Sequence, residues 1–343
     1  MTSRLEFGQK TGGAEVAEAF SKEIRGKNVL VTGVSPDSLG GELALVIASQ
    51  SPALLILASR TREKLDAVAA KIKESSADVS VKTVILDLMS QKSIIRAADE
   101  VNNMIDRLDL LINNAAVMAQ DRRWTDEKIE SQFATNHVGP FFLTNLLMDR
   151  LKAAASQSKP GSTRIINVSS EGHRLSPIRF HDYNLEGKEV PFEEQHLTQL
   201  PPAFLKDNDG YKGFIAYAQS KTANVLFSLY LTEHLKDNGI VSFAVHPGSI
   251  WTGLSRDLDE EGYDAISKTA TVWKTMDQGI STIMVAAFDP ALSGKIIDCC
   301  AESSGTYLSD CQYGKAAPHA TDSKTAERLW QLSEKLVGRE YKL

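Results

Sequence analysis

Cysteine is scarce. The 343 residues carry three, Cys299, Cys300 and Cys311. An odd number, with two side by side, matches no zinc or redox spacing, and adjacent cysteines rarely bridge because the ring is strained. The expectation is reduced thiols in a cytoplasmic protein without a bound metal. Long apolar runs are also missing. The longest, such as Ala53 to Ala58, are of strand length, far below a membrane span. Residues 1–26 hold no apolar core of a signal peptide. Positive charge is in deficit: 38 Lys and Arg against 44 Asp and Glu leave a net charge of -6, which argues against a nucleic-acid partner. A phosphate-bearing ligand stays possible, because its site needs only a few local groups. No internal repeat or low-complexity tract occurs.

What is present is an alternation. Apolar runs at Asn28–Thr32, Ala53–Ala58, Val79–Leu86, Leu108–Ile112, Arg164–Val168 and Ile240–Val245 read as strands. Helical patterns lie between them at Gly40–Ser49, Thr61–Ser75, Gln91–Met104, Asp126–Ala155 (bent near Gly139-Pro140) and Phe214–Lys236. Strand and helix in turn, with short connections, predict an α/β fold: a doubly wound parallel sheet with helices on both faces. Residues 1–26 are expected as a surface arm with a short helix over 13–24, and 27–343 as one Rossmann-type domain. Segment 176–213 is polar and too long for a plain connection, so it reads as an insertion. Residues 254–287 read as mostly helical, 306–308 as a last strand and 322–337 as a terminal helix.

Two constellations carry chemistry. Val29-Leu30-Val31-Thr32-Gly33 runs through Val34-Ser35-Pro36-Asp37-Ser38-Leu39-Gly40-Gly41 into a helix. A glycine turn between strand and helix exposes backbone N–H groups at a helix N-terminus, which suits the pyrophosphate of a dinucleotide. The second strand ends Ala58-Ser59-Arg60, without the acidic residue that would bind a ribose 2′-hydroxyl. Arg60, with Ser59 and Arg62, could pair with a 2′-phosphate instead, which points to NADP(H). Asp87 could accept from an adenine amino group or cap the next helix. The other constellation is Tyr217-Ala218-Gln219-Ser220-Lys221. Positions four apart share a helix face, so an ammonium stands beside a phenol, lowers its pKa and fits it for proton transfer.

In this order, Thr32-Gly33, Asp87-Leu88, Asn113-Asn114-Ala115-Ala116, Asn136, Ser169-Ser170, Tyr217–Lys221 and Pro247-Gly248 with Thr252 form a pattern. The chain resembles the classical short-chain dehydrogenase/reductase family. It looks nearest the retinol-dehydrogenase-like and WW-domain-oxidoreductase-like branch, including reductases of fungal secondary metabolism. The resemblance implies reduction of a carbonyl by NADPH, with Tyr217 as proton donor and Lys221 on the nicotinamide ribose. It implies Ser170 on the substrate oxygen and Asn136 anchoring a water relay. The cofactor contacts it implies are Gly33, Ser35, Ser38, Leu39, Gly40, Arg60, Asp87, Leu88, Asn114, Ala115, Tyr217, Lys221, Pro247, Gly248, Ile250 and Thr252.

The pattern departs from the family in three places. The glycine loop is one residue longer than the usual TGxxxGxG, and Ser38 replaces its middle glycine. The Ser38 hydroxyl could bond a phosphate, while Asp37 could face solvent or cap the helix. Ala116 stands where the family has glycine. The insertion carries Phe180, Tyr183, Phe192, Phe204, Tyr211 and Phe214 and could form a lid. Segment 252–275, with Trp251, Leu254, Leu258 and Tyr263, could form an apolar wall, and Cys299–Gly314 could close the far side. A bulky lipophilic ketone or aldehyde, polyketide-like, sterol or retinoid, is the expected substrate. A homodimer through helices 126–155 and 214–236 follows from the resemblance. The alternatives are an NAD(H)-dependent alcohol dehydrogenase and a non-catalytic dinucleotide-binding protein.

Overall fold

A computed structural model describes residues 1–196, 199–270, 272–293 and 305–343. The chain opens with α1 (Gly13–Ala19) and α2 (Ser21–Ile24), then β1 (Asn28–Thr32), α3 (Leu39–Ala48), β2 (Leu54–Ser59) and α4 (Arg62–Ser75). β3 (Val81–Ile85), α5 (Gln91–Met104) and β4 (Leu110–Asn113) follow. Next come α6 (Ser131–Phe133), a π-helical turn at Ala134–Val138, α7 (Gly139–Leu146), α8 (Met148–Ser156) and β5 (Thr163–Val168). The second half holds α9 (Gly213–Leu235), β6 (Ile240–His246), α10 (Glu260–Ser267), α11 (Met276–Phe288), β7 (Tyr307–Ser309), β8 (Gln312–Tyr313) and α12 (Ser323–Val337).

The strands form one sheet in the order β3-β2-β1-β4-β5-β6-β7-β8. All neighbours are parallel except β7 and β8. This is the expected doubly wound sheet, with an antiparallel edge hairpin that periodicity over two residues could not announce. The central strands are buried on both sides, so they are continuous rather than alternating apolar runs. One core packs α5, α7, α9 and α12 on one face of the sheet, and another packs α1, α3, α4 and α11 on the other. Among the described residues, no helix is long and apolar enough to cross a membrane.

Three expectations are corrected. Residues 1–26 are not a surface arm: Phe7, Val16, Ala17, Phe20 and Ile24 are buried in the second core. Asp277 Oδ1 accepts from Ala14 N at 2.8 Å and ties α1 to α11. The helix expected from Asp126 starts at Ser131, because the buried Glu130 caps it by accepting from Gln132 N at 2.7 Å and Phe133 N at 2.8 Å. Its bend lies just before Gly139-Pro140, in the π-turn at Ala134–Val138. Helix is less extensive after 254 than expected, with a 3-10 turn at Gly253–Asp257 before α10 and extended chain before α11.

Helix α12 packs on parts of the helices expected to pair with a second copy. Trp330 of α12 stacks on Tyr230 at 4.4 Å and meets Phe141 edge-on at 4.8 Å. Its companions Ala326, Leu329 and Val337 are buried in the same core.

The stretch 176–213 is bound in rather than draped over the surface. Gln219, in α9, accepts from Arg179 N and donates to Tyr183 O, each at 2.9 Å. Tyr211 donates to Glu130 Oε1 at 2.7 Å, and Gln132 Nε2 donates to the Tyr211 hydroxyl oxygen at 2.7 Å. Arg122 donates to Leu185 O and Gly210 O, its guanidinium 5.3 Å from the Tyr211 ring centre.

Candidate active site

Two cavities meet at the carboxyl ends of the strands, where open α/β sheets hold ligands. One is a groove of about 240 Å³ across the first βαβ unit. The other is an apolar cavity of about 340 Å³ beyond it. Leu39, Ser169, Tyr217, Pro247, Thr252 and Leu254 border both.

The groove begins at the glycine turn. Gly33 has φ +74°, and a Cβ there would stand 2.6 Å from Ala115 Cα. Only glycine lets the turn approach the Asn114–Ala115 backbone this closely. Asn114 Nδ2 ties the two by donating to Thr32 O at 2.9 Å. The longer loop is accommodated by Asp37, exposed and left-handed at φ +54°. Ser38 is spent internally: its hydroxyl donates to Ser35 O at 2.7 Å and accepts from Ser35 N and Gly41 N. It is the N-cap of α3 and not a free phosphate ligand, while Asp37 faces solvent.

Gly33, Ser35, Ser38, Leu39, Arg60, Asp87, Leu88, Asn114, Ala115 and Lys221 line this groove. Ala116 lines it too. Gly40 lies behind it, where a Cβ would meet Gly33 O at 2.5 Å. One Asp87 oxygen accepts from Met89 N at 3.0 Å, so this carboxylate caps a turn and also faces the groove. Arg62 turns away and donates to Thr83 Oγ1 at 2.7 Å. Lys64 takes the place beside Arg60 that had been expected of Arg62. One helical turn separates Lys64 from Arg60 in sequence, the available signal for it. Glycine turn, helix N-terminus and two cations at the β2 end together fit a phosphate-bearing dinucleotide.

Ser170, Gly248 and Ile250 line the neighbouring cavity. Its walls come from Met118, Leu175, Phe204, Phe214, Ile266 and Trp273. Phe204 and Phe214 pack at 4.8 Å, and Trp251 is stacked between Tyr263 at 4.1 Å and Trp273 at 4.2 Å. Met118, Leu175, Ile266 and Trp273 were not singled out by sequence reasoning, since an apolar residue facing a cavity reads like any core residue. Glu171 and His246 supply polar groups at one end. Tyr307 donates to Glu171 at 3.0 Å, and burial lowers the His246 pKa to about 4.

The catalytic candidates come together with one electrostatic correction. Lys221 is 2% exposed, donates to Val168 O at 2.8 Å and lies 5.6 Å from the Tyr217 ring centre. Burial lowers its pKa to about 7. Burial likewise raises Tyr217 to about 12, partly offset by its hydrogen bond with Ser170. The phenol was expected to be lowered by the ammonium; burial instead sets it above its ordinary value. Ser170 Oγ accepts from Gly172 N at 3.0 Å, which fixes the hydroxyl. Asn136 is buried in the π-turn. Its side chain accepts from Val117 N at 2.8 Å and donates to Val117 O and Ser220 Oγ at 2.9 Å, while its carbonyl accepts from Asn224 Nδ2 at 2.7 Å. It clamps the groove floor to α9.

Cys311 is buried with its Sγ 3.2 Å from Ser281 Oγ, a packed thiol. Cys299 and Cys300, and much of the segment expected to close the far side, lie outside the described residues.

Comparison with known proteins agrees with this geometry. The family pattern described as short chain dehydrogenase matches residues 27–184. An oxidoreductase, fscI, of Fusarium equiseti is 35% identical over 71% of this chain and 95% of its own length. Human retinol dehydrogenase 13 is 35% identical over 96% of this chain and 89% of its own. An uncharacterized protein from Mycobacterium paratuberculosis has a solved structure with TM-score 0.65 and 26% identity, covering 94% of this chain and 98% of that one. NADPH-bound carbonyl reductase from chicken fatty liver shares the fold at TM-score 0.56 and 21% identity, over 85% of this chain and all of the other. With a relative of this identity spanning nearly its whole length, the glycine turn after β1 and the Tyr217–Lys221 pair on α9, the chain belongs to the short-chain dehydrogenase family of oxidoreductases.

Proposed function

We propose that the protein reduces a bulky lipophilic ketone or aldehyde to the alcohol with NADPH. The observation that carries this reading is the shared wall: Tyr217 borders both the dinucleotide groove and the apolar cavity. When bound, the nicotinamide supplies the hydride that no side chain can supply. Tyr217 donates the proton to the carbonyl oxygen. Ser170, fixed by Gly172 N, hydrogen-bonds that oxygen as charge develops. Lys221 regains its proton as negative charge enters the groove, and its field then brings the Tyr217 pKa down toward neutrality. Asn136 holds the floor beneath them, and the water relay assigned to it starts from that position.

Arg60 and Lys64 support NADPH over NADH, because they offer cations where a 2′-phosphate would lie. Chicken carbonyl reductase, of the same fold, is NADPH-bound. The apolar walls from Phe204, Phe214, Leu254, Ile266 and Trp273 support a lipophilic substrate, polyketide-like, sterol or retinoid. The relatives named oxidoreductase and retinol dehydrogenase are compatible with it. Pairing of two copies through 126–155 and 214–236 would have to accommodate α12, which packs on Phe141 and Tyr230.

The test is oxidation of NADPH and NADH in parallel across small and bulky carbonyls, with Tyr217→Phe as control. NADPH oxidation that favours bulky apolar substrates and disappears in the variant is expected. Turnover that persists in Tyr217→Phe, or runs equally with NADH, rejects the assignment.

A further inference from the structure

The apolar cavity ends in a polar pair. Glu171 and His246 both line it, the one next in sequence to Ser170, the other next to Pro247. His246 closes β6, and its Nδ1 accepts from Glu171 N at 3.2 Å. Burial lowers the pKa of the ring to about 4, so at neutral pH the imidazole is uncharged and its proton sits on Nε2. Among the described residues, Nε2 has no hydrogen-bond partner. It is an N–H donor left over on a residue that lines the substrate cavity.

The carboxylate beside it is held in place. Tyr307, buried on β7, donates to Glu171 Oε1 at 3.0 Å. Arg174 Nε donates to Glu171 Oε2, and Arg174 Nη2 is itself fixed by donating to Lys315 O at 2.6 Å. Burial pushes the Glu171 pKa up, but the Arg174 bond and the charges around it outweigh this and hold the carboxyl below its ordinary range. A carboxylate oxygen with one donor keeps a second lone pair for another. Two further polar side chains of the cavity are already occupied: Ser169 Oγ donates to Lys221 O at 2.8 Å, and Thr269 Oγ1 to Ile266 O at 2.7 Å.

We propose that the substrate carries a hydroxyl group a few bonds from its reacting carbonyl, and that this hydroxyl accepts from His246 Nε2 and donates to the Glu171 carboxylate. The proposal rests on the reductase reading above, with Ser170 and Tyr217 on the carbonyl oxygen, and narrows the lipophilic carbonyl compound to a hydroxylated one. A hydroxyl both donates and accepts, so it suits an N–H beside a carboxylate. An ether or a second carbonyl can only accept, and a carboxylate would be repelled by Glu171. The spacing follows from the chain. Glu171 adjoins Ser170, and adjacent residues stand about 3.8 Å apart, within reach of a hydroxyl on the β or γ carbon. The Glu171 side chain is 46% exposed, so this end opens to water, and the less exposed imidazole makes the stronger of the two contacts.

The experiment follows NADPH oxidation by the full chain with matched pairs of ketones: benzylacetone and its β-hydroxy derivative, and longer alkyl and aryl ketones with and without a hydroxyl on the β or γ carbon. The readout is the ratio of kcat/KM, hydroxylated over parent, within each protein, so that a general loss of activity or stability cancels. The wild type should favour the hydroxylated member by about 10-fold or more, the effect of one hydrogen bond and of the unpaired donor that its absence leaves. In His246→Phe the ratio should fall to about one, and in Glu171→Gln it should fall partway. NADPH affinity, titrated without ketone, should match the wild type in both. A wild-type ratio of one or below overturns the proposal, as does a ratio that survives His246→Phe. A ratio unchanged in Glu171→Gln overturns the part given to the carboxylate. A drop in NADPH affinity in His246→Phe assigns the imidazole to the cofactor and overturns the proposal as well. If no pair gives oxidation that Tyr217→Phe abolishes, the reductase reading itself is rejected, and the proposal with it.

Discussion

Lys221 stands 5.6 Å from the centre of the Tyr217 ring, yet the hydrogen bond of its amine goes to the Val168 carbonyl oxygen at 2.8 Å. Burial lowers the Lys221 pKa to about 7 and raises that of Tyr217 to about 12, so at neutral pH the phenol is protonated and the amine is divided between its two forms. That arrangement keeps the phenol protonated, as a proton donor requires, until negative charge arrives in the groove. The family motif is thus conditional chemistry: its spacing brings the groups together, and a ligand sets their charge.

The low Lys221 pKa has a consequence for stability. Its folded value of about 7 lies below its ordinary 10.5. Between those limits the unfolded chain binds a proton that the folded chain lacks, so stability rises with pH. Below about 7 the penalty of burying the amine is fully felt. The difference in urea midpoint between wild type and Lys221→Met should therefore shift in favour of the wild type from pH 7 to pH 10. A constant difference across that range would show that the amine is not desolvated.

Arg60 is the expected arbiter of cofactor choice. Arg60→Ala should weaken NADPH by about 10-fold or more, the worth of a charge-assisted contact, and leave NADH almost unaltered. Arg60→Asp should reverse the preference by repelling the 2′-phosphate. Calorimetric titration of both dinucleotides would measure this directly, and an equal loss for both would place Arg60 elsewhere.

The insertion is anchored by a buried carboxylate. Burial raises the Glu130 pKa, against the hydrogen bonds from Gln132, Phe133, Tyr211 and Ser131 that favour its charge. Tyr211→Phe removes the phenolic donor to the buried Glu130, while Gln132 Nε2 keeps Ala119 O and Gly213 O as acceptors. A destabilisation of roughly 1–3 kcal/mol is expected, read from urea denaturation. A wild-type midpoint in the variant would mean that the insertion is held by its apolar contacts alone.

Trp330 should be the dominant side chain of α12. Truncation to alanine is expected to cost roughly 3–5 kcal/mol, as for other buried aromatic residues. Light scattering should give a monomer for the wild type. Trp330→Ala should show association as the apolar surface of α7 and α9 is uncovered. An unchanged mass in Trp330→Ala would show that truncating Trp330 does not open that surface.

Much of the sheet was legible from residues because its strands are buried on both faces and written as unbroken apolar runs. Helix α5 begins and ends where its pattern does, capped by Ser90. What stayed hidden depends on contacts distant in sequence. The bonds from Gln219 to Arg179 and Tyr183 carry no local signal, and neither does the packing of Trp330 on Tyr230. Residues 1–26 look polar, yet Phe7, Val16, Phe20 and Ile24 find a place against α11. The site residues were legible as a motif, but their charge states were not, since burial is a property of the assembled fold. Ser38 illustrates the finer failure: a hydroxyl in a phosphate loop invites a ligand role, whereas three internal hydrogen bonds already occupy it.

Six residues form a partition between two compartments, and this limits how the protein can be re-engineered. Any library that varies Leu39, Thr252 or Leu254 to admit a new carbonyl compound also alters the compartment for the redox carrier, so gains in scope and losses in turnover would arrive together. Phe204, Phe214, Ile266 and Trp273 border the substrate side only. They are the positions at which scope can be evolved while the carrier compartment keeps its shape.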